Sequence, residues 1–95
     1  MATKRLMIAS LAAENTYSDP LELEKGYFNF SLTGTWSAAV WVQRSFDRGG
    51  SWRDVKSFVK NCEVIGYELE GNIFYRFGIK TGGYTSGTVV GRMSQ

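Results

Sequence analysis

The sequence has no histidine, one cysteine and one proline in 95 residues. Without histidine, neither a Ser-His-Asp nor a Cys-His catalytic arrangement can form. A lone Cys62 beside no histidine also removes the usual zinc ligand sets and any internal disulfide framework. Charge of one sign is lacking too: 11 basic against 9 acidic residues leave a net +2. The two signs are interspersed, with no basic stripe of the kind that nucleic acid needs. No apolar run is long enough to span a membrane as a helix. "KRLMIASLAA" has a basic pair and a short apolar run, and Lys4 to Leu11 is expected to be a first strand or ordered arm rather than a leader. The phosphate-loop and dinucleotide fingerprints are absent. No metal, cofactor, nucleic-acid or membrane partner is expected, and the lone thiol suits synthesis in a reducing cytoplasm.

What is abundant is glycine and aromatic residues. Eleven glycines punctuate a chain that is 43% apolar and 15% aromatic, too rich for disorder. Helical periodicity is nearly absent, and period-two alternation replaces it. In "YFNFSL", Phe28, Phe30 and Leu32 share one face. In "NIFYRFGIK", Ile73, Tyr75, Phe77 and Ile79 share one face, and Phe74, Arg76 and Lys80 the other. In "GTVVGRMSQ", Val89, Gly91 and Met93 oppose Val90 and Arg92. Turn signals fall at Asp19-Pro20, Lys25-Gly26, Thr33-Gly34, Arg48-Gly49-Gly50, Glu70-Gly71-Asn72, Gly82-Gly83 and Ser86-Gly87. Between them about eight short strands are predicted, over 4–11, 21–25, 27–33, 37–46, 52–59, 63–69, 73–80 and 87–94. The expectation is one all-β domain over 1–95, a β-sandwich or jelly roll of antiparallel strands. Residues 1–20 would supply its first strand or an arm reaching a neighbour.

The stretch "SFDRGGSW", Ser45 to Trp52, resembles the Asp-box of sialidases and related sugar-handling β-proteins. Its chemistry is that of a tied hairpin tip. Asp47 can accept turn N–H groups, Gly49 and Gly50 can take φ > 0, Ser45 can bond across the loop, and Trp52 can cover its base. In that family the box is a structural device, so a turn rather than a sugar site is expected. The carboxylate pairs Glu22/Glu24 and Glu68/Glu70 have i, i+2 spacing, the ordinary pattern of a solvent-facing strand edge, and no catalysis is expected of them. Surplus aromatics and in-strand arginines suggest contact instead: Trp36, Trp41, Arg44, Arg76 and Tyr84 are the candidate interface residues.

Three segments carry a wider likeness: "YSDPLELEKGYFNFSLTGTW", "AVWVQRSFDRGGSWRDVKSF" and "YRFGIKTGGYTSGTVVGRMSQ". They resemble the opening strands, the QRS-D-GG-W-V hairpin and the closing strand of small virion proteins of tailed bacteriophages. That resemblance implies a non-enzymatic structural protein of the virion, assembled in the host cytoplasm. Its leading role would be capsid decoration or cement, with the major capsid protein or another virion protein as partner, and self-association. Its rivals are a neck or tail component, or a small carbohydrate-binding module stacking sugars on Trp36, Trp41 or Tyr84.

Overall fold

The computed structural model describes residues 5–95, all-β and without helix among those residues. Seven strands follow in order: β1 Leu6–Leu11, β2 Thr16–Tyr17, β3 Leu21–Leu23, β4 Gly26–Ser45, β5 Arg53–Phe58, β6 Cys62–Glu68 and β7 Ile73–Ser94. Every pairing is antiparallel, and together the strands make one seven-stranded sheet.

β4 and β7 are the spine. They pair from Asn29↔Ser94 at one end to Ser45↔Phe74 at the other. Beyond β7 run β1, beside its C-terminal half, and β2 and β3, beside its N-terminal half. Beyond β4, β6 lies along its first half and β5 along its second. The sheet therefore has two halves joined by the spine: β6-β4-β7-β1, and β5-β4-β7 with β2 and β3.

The halves fold face to face. Phe30, in the first half, lies 5.3 Å from Phe77 and 5.4 Å from Phe58, both in the second. Phe28 likewise meets Tyr75 at 5.0 Å. Period-two alternation supplies both walls: Phe28, Phe30, Leu32, Val89 and Met93 from one half, Val40, Val42, Ile73, Phe77 and Ile79 from the other, all buried. Gly91 leaves the space into which the Phe77 ring packs, and a Cβ there would strike that ring.

The fold line crosses the spine where the glycines lie. Gly34 and Gly87 take φ of +110° and +83°, a backbone region that side chains disfavour. A Cβ at either would collide with the carbonyl of the opposite strand, Thr88 or Thr35. Just beyond, the ladder passes from Ala38↔Tyr84 to Val40↔Ile79. Residues 80–83 of β7 thus oppose Ala39 alone, a large bulge that bends the ribbon.

These bends correct the strand count. Thr33-Gly34, Gly82-Gly83 and Ser86-Gly87 do not reverse the chain. The segments 27–33 and 37–46 are one strand, as are 73–80 and 87–94, so two long strands replace four of the eight short ones. β2, not anticipated, pairs Tyr17 with Gly78. β1 begins at Leu6 and pairs with β7 of its own chain; Lys4 lies outside the described residues.

Truncating Phe77→Ala would remove the ring that joins the halves. A loss of about 3–5 kcal/mol is expected, read as a lower urea midpoint at unchanged slope. Gly87→Ala would destabilise through the backbone collision while leaving the core side chains intact, and should lower the midpoint as well.

Candidate functional site

The hairpin tip forms as its residue types require. The Ser45 hydroxyl donates to Asp47 Oδ1 at 2.7 Å and accepts the Gly49 N–H at 2.8 Å. Asp47 also accepts the Ser51 N–H and hydroxyl, each at 2.8 Å. These bonds, the Ser45 hydroxyl foremost and then the two from Ser51, lower the Asp47 carboxyl to about 2. One detail differs from expectation. Positive φ falls on Arg48 and Gly49, at 57° and 94°, and not on Gly50. Gly50 is small for another reason: a Cβ there would press on the Asp47 carboxylate. The Ser45–Trp52 loop is thus a closed turn with its polar groups mutually satisfied.

Trp52, Arg76 and Trp41 come together on the outer face of the second half. The Arg76 guanidinium lies 4.0 Å from the Tyr17 ring centroid and 4.4 Å from that of Trp52. Its Nε donates to Gln43 Oε1 at 2.8 Å, and Gln43 Nε2 donates to Asp54 Oδ1 at 2.8 Å. Asp54 completes an ion pair with Lys80, whose ammonium sits 4.2 Å over the Trp41 ring. Gln43 first and Lys80 second hold the Asp54 carboxyl below its usual range. Donors meet acceptors, and cations cover the rings, so this chain of contacts ties β2, β4, β5 and β7 together. A cation thus sits over one face each of Tyr17, Trp52 and Trp41.

Trp36 and Tyr84 lie elsewhere, at the fold line. Trp36 Nε1 donates to Asn61 Oδ1 at 2.7 Å, and Asn61 Nδ2 donates to the Gly34 carbonyl at 2.9 Å. The Tyr84 hydroxyl donates to the Gly87 carbonyl at 2.9 Å. Both tie the bend. The five candidate interface residues do not form one surface.

Arg44 faces inward, where it meets the one carboxylate buried in the core among the described residues. Glu68 is fully buried. It accepts Arg44 Nη2 at 2.8 and 3.0 Å, the Tyr75 hydroxyl at 2.7 Å and the Glu70 N–H at 2.8 Å. Burial pushes its pKa up, but the Tyr75, Glu70 and Arg44 bonds outweigh burial and hold it below the ordinary value. Burial first, and then the bond to Glu68, raise the Tyr75 hydroxyl well above its usual range. Arg44 Nε finds no partner among the described residues. The expectation that Glu68 and Glu70 share a solvent face is corrected: Glu68 is inside, and Glu70 lies beyond the end of β6, 61% exposed. Glu22 and Glu24 are brought together by Asn72, whose amide, turned to donate, reaches them at 3.0 and 3.1 Å. Among the described residues no cluster of His, Cys, Asp or Glu is placed to hold a metal.

Among the described residues, the outer face of the first half lacks such a network of pairs. β4 presents Tyr27, Asn29 and Ser31, opposite Tyr67, Ile65 and Glu63 of β6. β1 presents Leu6 and Ile8 at the far edge. Tyr27 and Ile65 are each 72% exposed, and Ile8 is 55% exposed. Tyr27 and Tyr67 pack edge to face at 4.8 Å. None of these was a sequence candidate. Between β5 and β6 the two halves leave an apolar cleft of about 160 Å³, lined by Phe28, Phe30, Val42, Phe58 and Val64 among others.

No protein-family model, curated protein or solved structure matches the chain.

Glu68→Gln would remove the buried charge that Arg44 faces and leave it the exposed Glu70 carboxylate at 3.9 Å. We expect a loss of about 1–3 kcal/mol at pH 7. Because the folded pKa of Glu68 is depressed, its contribution is present above the unfolded carboxyl value of about 4.3 and fades as pH falls through the folded one. Urea titrations from pH 7 to pH 2.5 should therefore show wild type and variant converging in acid.

Proposed function

We propose that this chain is a non-enzymatic structural protein of a phage virion, a decoration or cement domain of the capsid. Three kinds of support converge. The sequence segments 17–36, 39–58 and 75–95 resemble small virion proteins. The polar groups that gather on the second half are spent on one another, as the Arg76–Gln43–Asp54–Lys80 chain shows. The observation that carries the reading is the exposed face of Leu6, Ile8, Tyr27, Ile65 and Tyr67.

Large apolar side chains on a sheet face gain free energy only when a partner covers them, at about 25 cal/mol per Å² removed from water. Tyrosines suit such a contact, since each offers a rigid ring and a polar tip. A small domain bearing one such face can attach to a repeated lattice, where many modest contacts sum. The partner is then the major capsid protein, the protein is made in the host cytoplasm, and it ends in the virion. Burial pushes the Cys62 thiol up.

Quantitative mass spectrometry of purified particles tests this. Copies equal to the major capsid protein, or a simple fraction of it, are expected. A handful of copies per particle would move the protein to the neck or tail, and absence would overturn the virion reading. Tyr27→Glu should abolish attachment to particles while leaving the urea midpoint near wild type, because the ring lies outside the core.

A further inference from the structure

β6 is an open edge, since among the described residues it pairs with β4 alone. The direction of its free groups follows from the ladder. Arg5 and Gln95 exchange both backbone bonds, at 3.1 and 2.9 Å. Antiparallel strands alternate, so Gln95, Met93 and Gly91 turn their N–H and C=O groups toward β1, and Ser94 and Arg92 turn theirs toward β4. Asn29 and Ser31, opposite those two, bond with β7; Phe28, Phe30 and Leu32 are left to bond Gly66, Val64 and Cys62 of β6. Glu63, Ile65 and Tyr67 therefore direct their backbone groups outward, and these same residues carry their side chains on the exposed face.

The other edge beside the cleft is guarded. β5 is bulged at Val42/Gln43, and Lys56 lies opposite the core residue Val42. A bulge and an inward-facing charge are devices that discourage edge pairing. β6 has neither bulge, proline nor lysine within its seven residues.

We propose that β6 pairs antiparallel with β6 of a second copy about a two-fold axis at Ile65. The edge is self-complementary in that register. Ile65 meets Ile65 of the second copy, and Glu63 meets Tyr67, so Glu63, Ile65 and Tyr67 all find backbone partners and no like charges face each other. Centring the axis on Val64 or Gly66 would leave one of the three outside the shared strand. Just past the strand ends, the same register brings Lys60 toward Glu70 of the second copy, opposite in charge and repeated on both sides of the axis. The two first-half sheets become continuous, and their apolar faces join into one broader face. This pairing rests on the β6 edge and holds whatever larger assembly the chain enters.

Residue-resolved amide hydrogen exchange on the full chain, at dilute and concentrated protein, tests the pairing. Val64 and Gly66 should be protected at both concentrations, whereas Glu63, Ile65 and Tyr67 should gain protection only at the higher. Light scattering should give a dimer mass that Ile65→Lys weakens by about tenfold or more, through like charges meeting on the axis. Val55→Lys, on the guarded edge, should leave it unchanged. A monomer at every concentration would overturn the proposal. So would concentration-dependent protection at Leu6, Ile8 and Ser10, which would place pairing on the β1 edge, or a dimer indifferent to Ile65→Lys.

Discussion

A 22-residue strand would run about 70 Å if straight. The longest dimension of the molecule is 39 Å. The β4–β7 ribbon must therefore double back, and every other feature depends on where it does so. The fold line falls at Gly34 and Gly87, whose backbones take conformations that other residues disfavour, and at the bulge over residues 80–83. Doubling back turns one ribbon into two walls. Phe30 from one wall then meets Phe77 and Phe58 from the other, and a core forms in a chain too short to build a second layer separately.

Folding the sheet on itself also decides which side of each strand meets water. The second half presents a face whose charges and rings are paired off, from Tyr17 to Trp41. The first half presents one that is apolar at both edges and polar between. Beside the core sits Glu68, a carboxylate held by Arg44, Tyr75 and the Glu70 N–H. Its removal alone would leave the Arg44 charge with only the exposed Glu70 carboxylate, 3.9 Å away, so the cluster acts as a registering contact between β6, β4 and β7 more than as a source of stability. With β6 registered in this way, its odd residues face outward and its edge stays regular.

Much of the fold is legible in the sequence because alternation survives burial on one side. Phe28, Phe30, Leu32, Tyr75, Phe77 and Ile79 all face the core, as their spacing predicts. The bends read as reversals in the sequence because glycine serves both: the local backbone requirement is the same, and only the pairing partner distinguishes a turn from a kink. The Ser45–Trp52 loop was legible because its bonds are local, spanning four residues or fewer. The exposed face was not. In "EVIGYELE" both faces carry apolar residues, and the even one ends in Glu68 and Glu70, which point toward solvent by type. The burial of Glu68 depends on Arg44, 24 residues away, and on Tyr75, so the orientation of Ile65 and Tyr67 follows from a distant ion pair. Trp36 and Trp41 are large aromatics, but each has its partner nearby in the fold, Asn61 and Lys80.

The doubling of the ribbon is tested most directly by proton nuclear magnetic resonance of the full chain in solution. Contacts between the ring protons of Phe30 and Phe77 are expected, together with Gly91 α-protons moved strongly upfield by the Phe77 ring above them. Cross-strand contacts along β4 and β7 without either signature would mean an open ribbon with its aromatic residues in water, and would contradict the folded sheet on which both proposed surfaces depend.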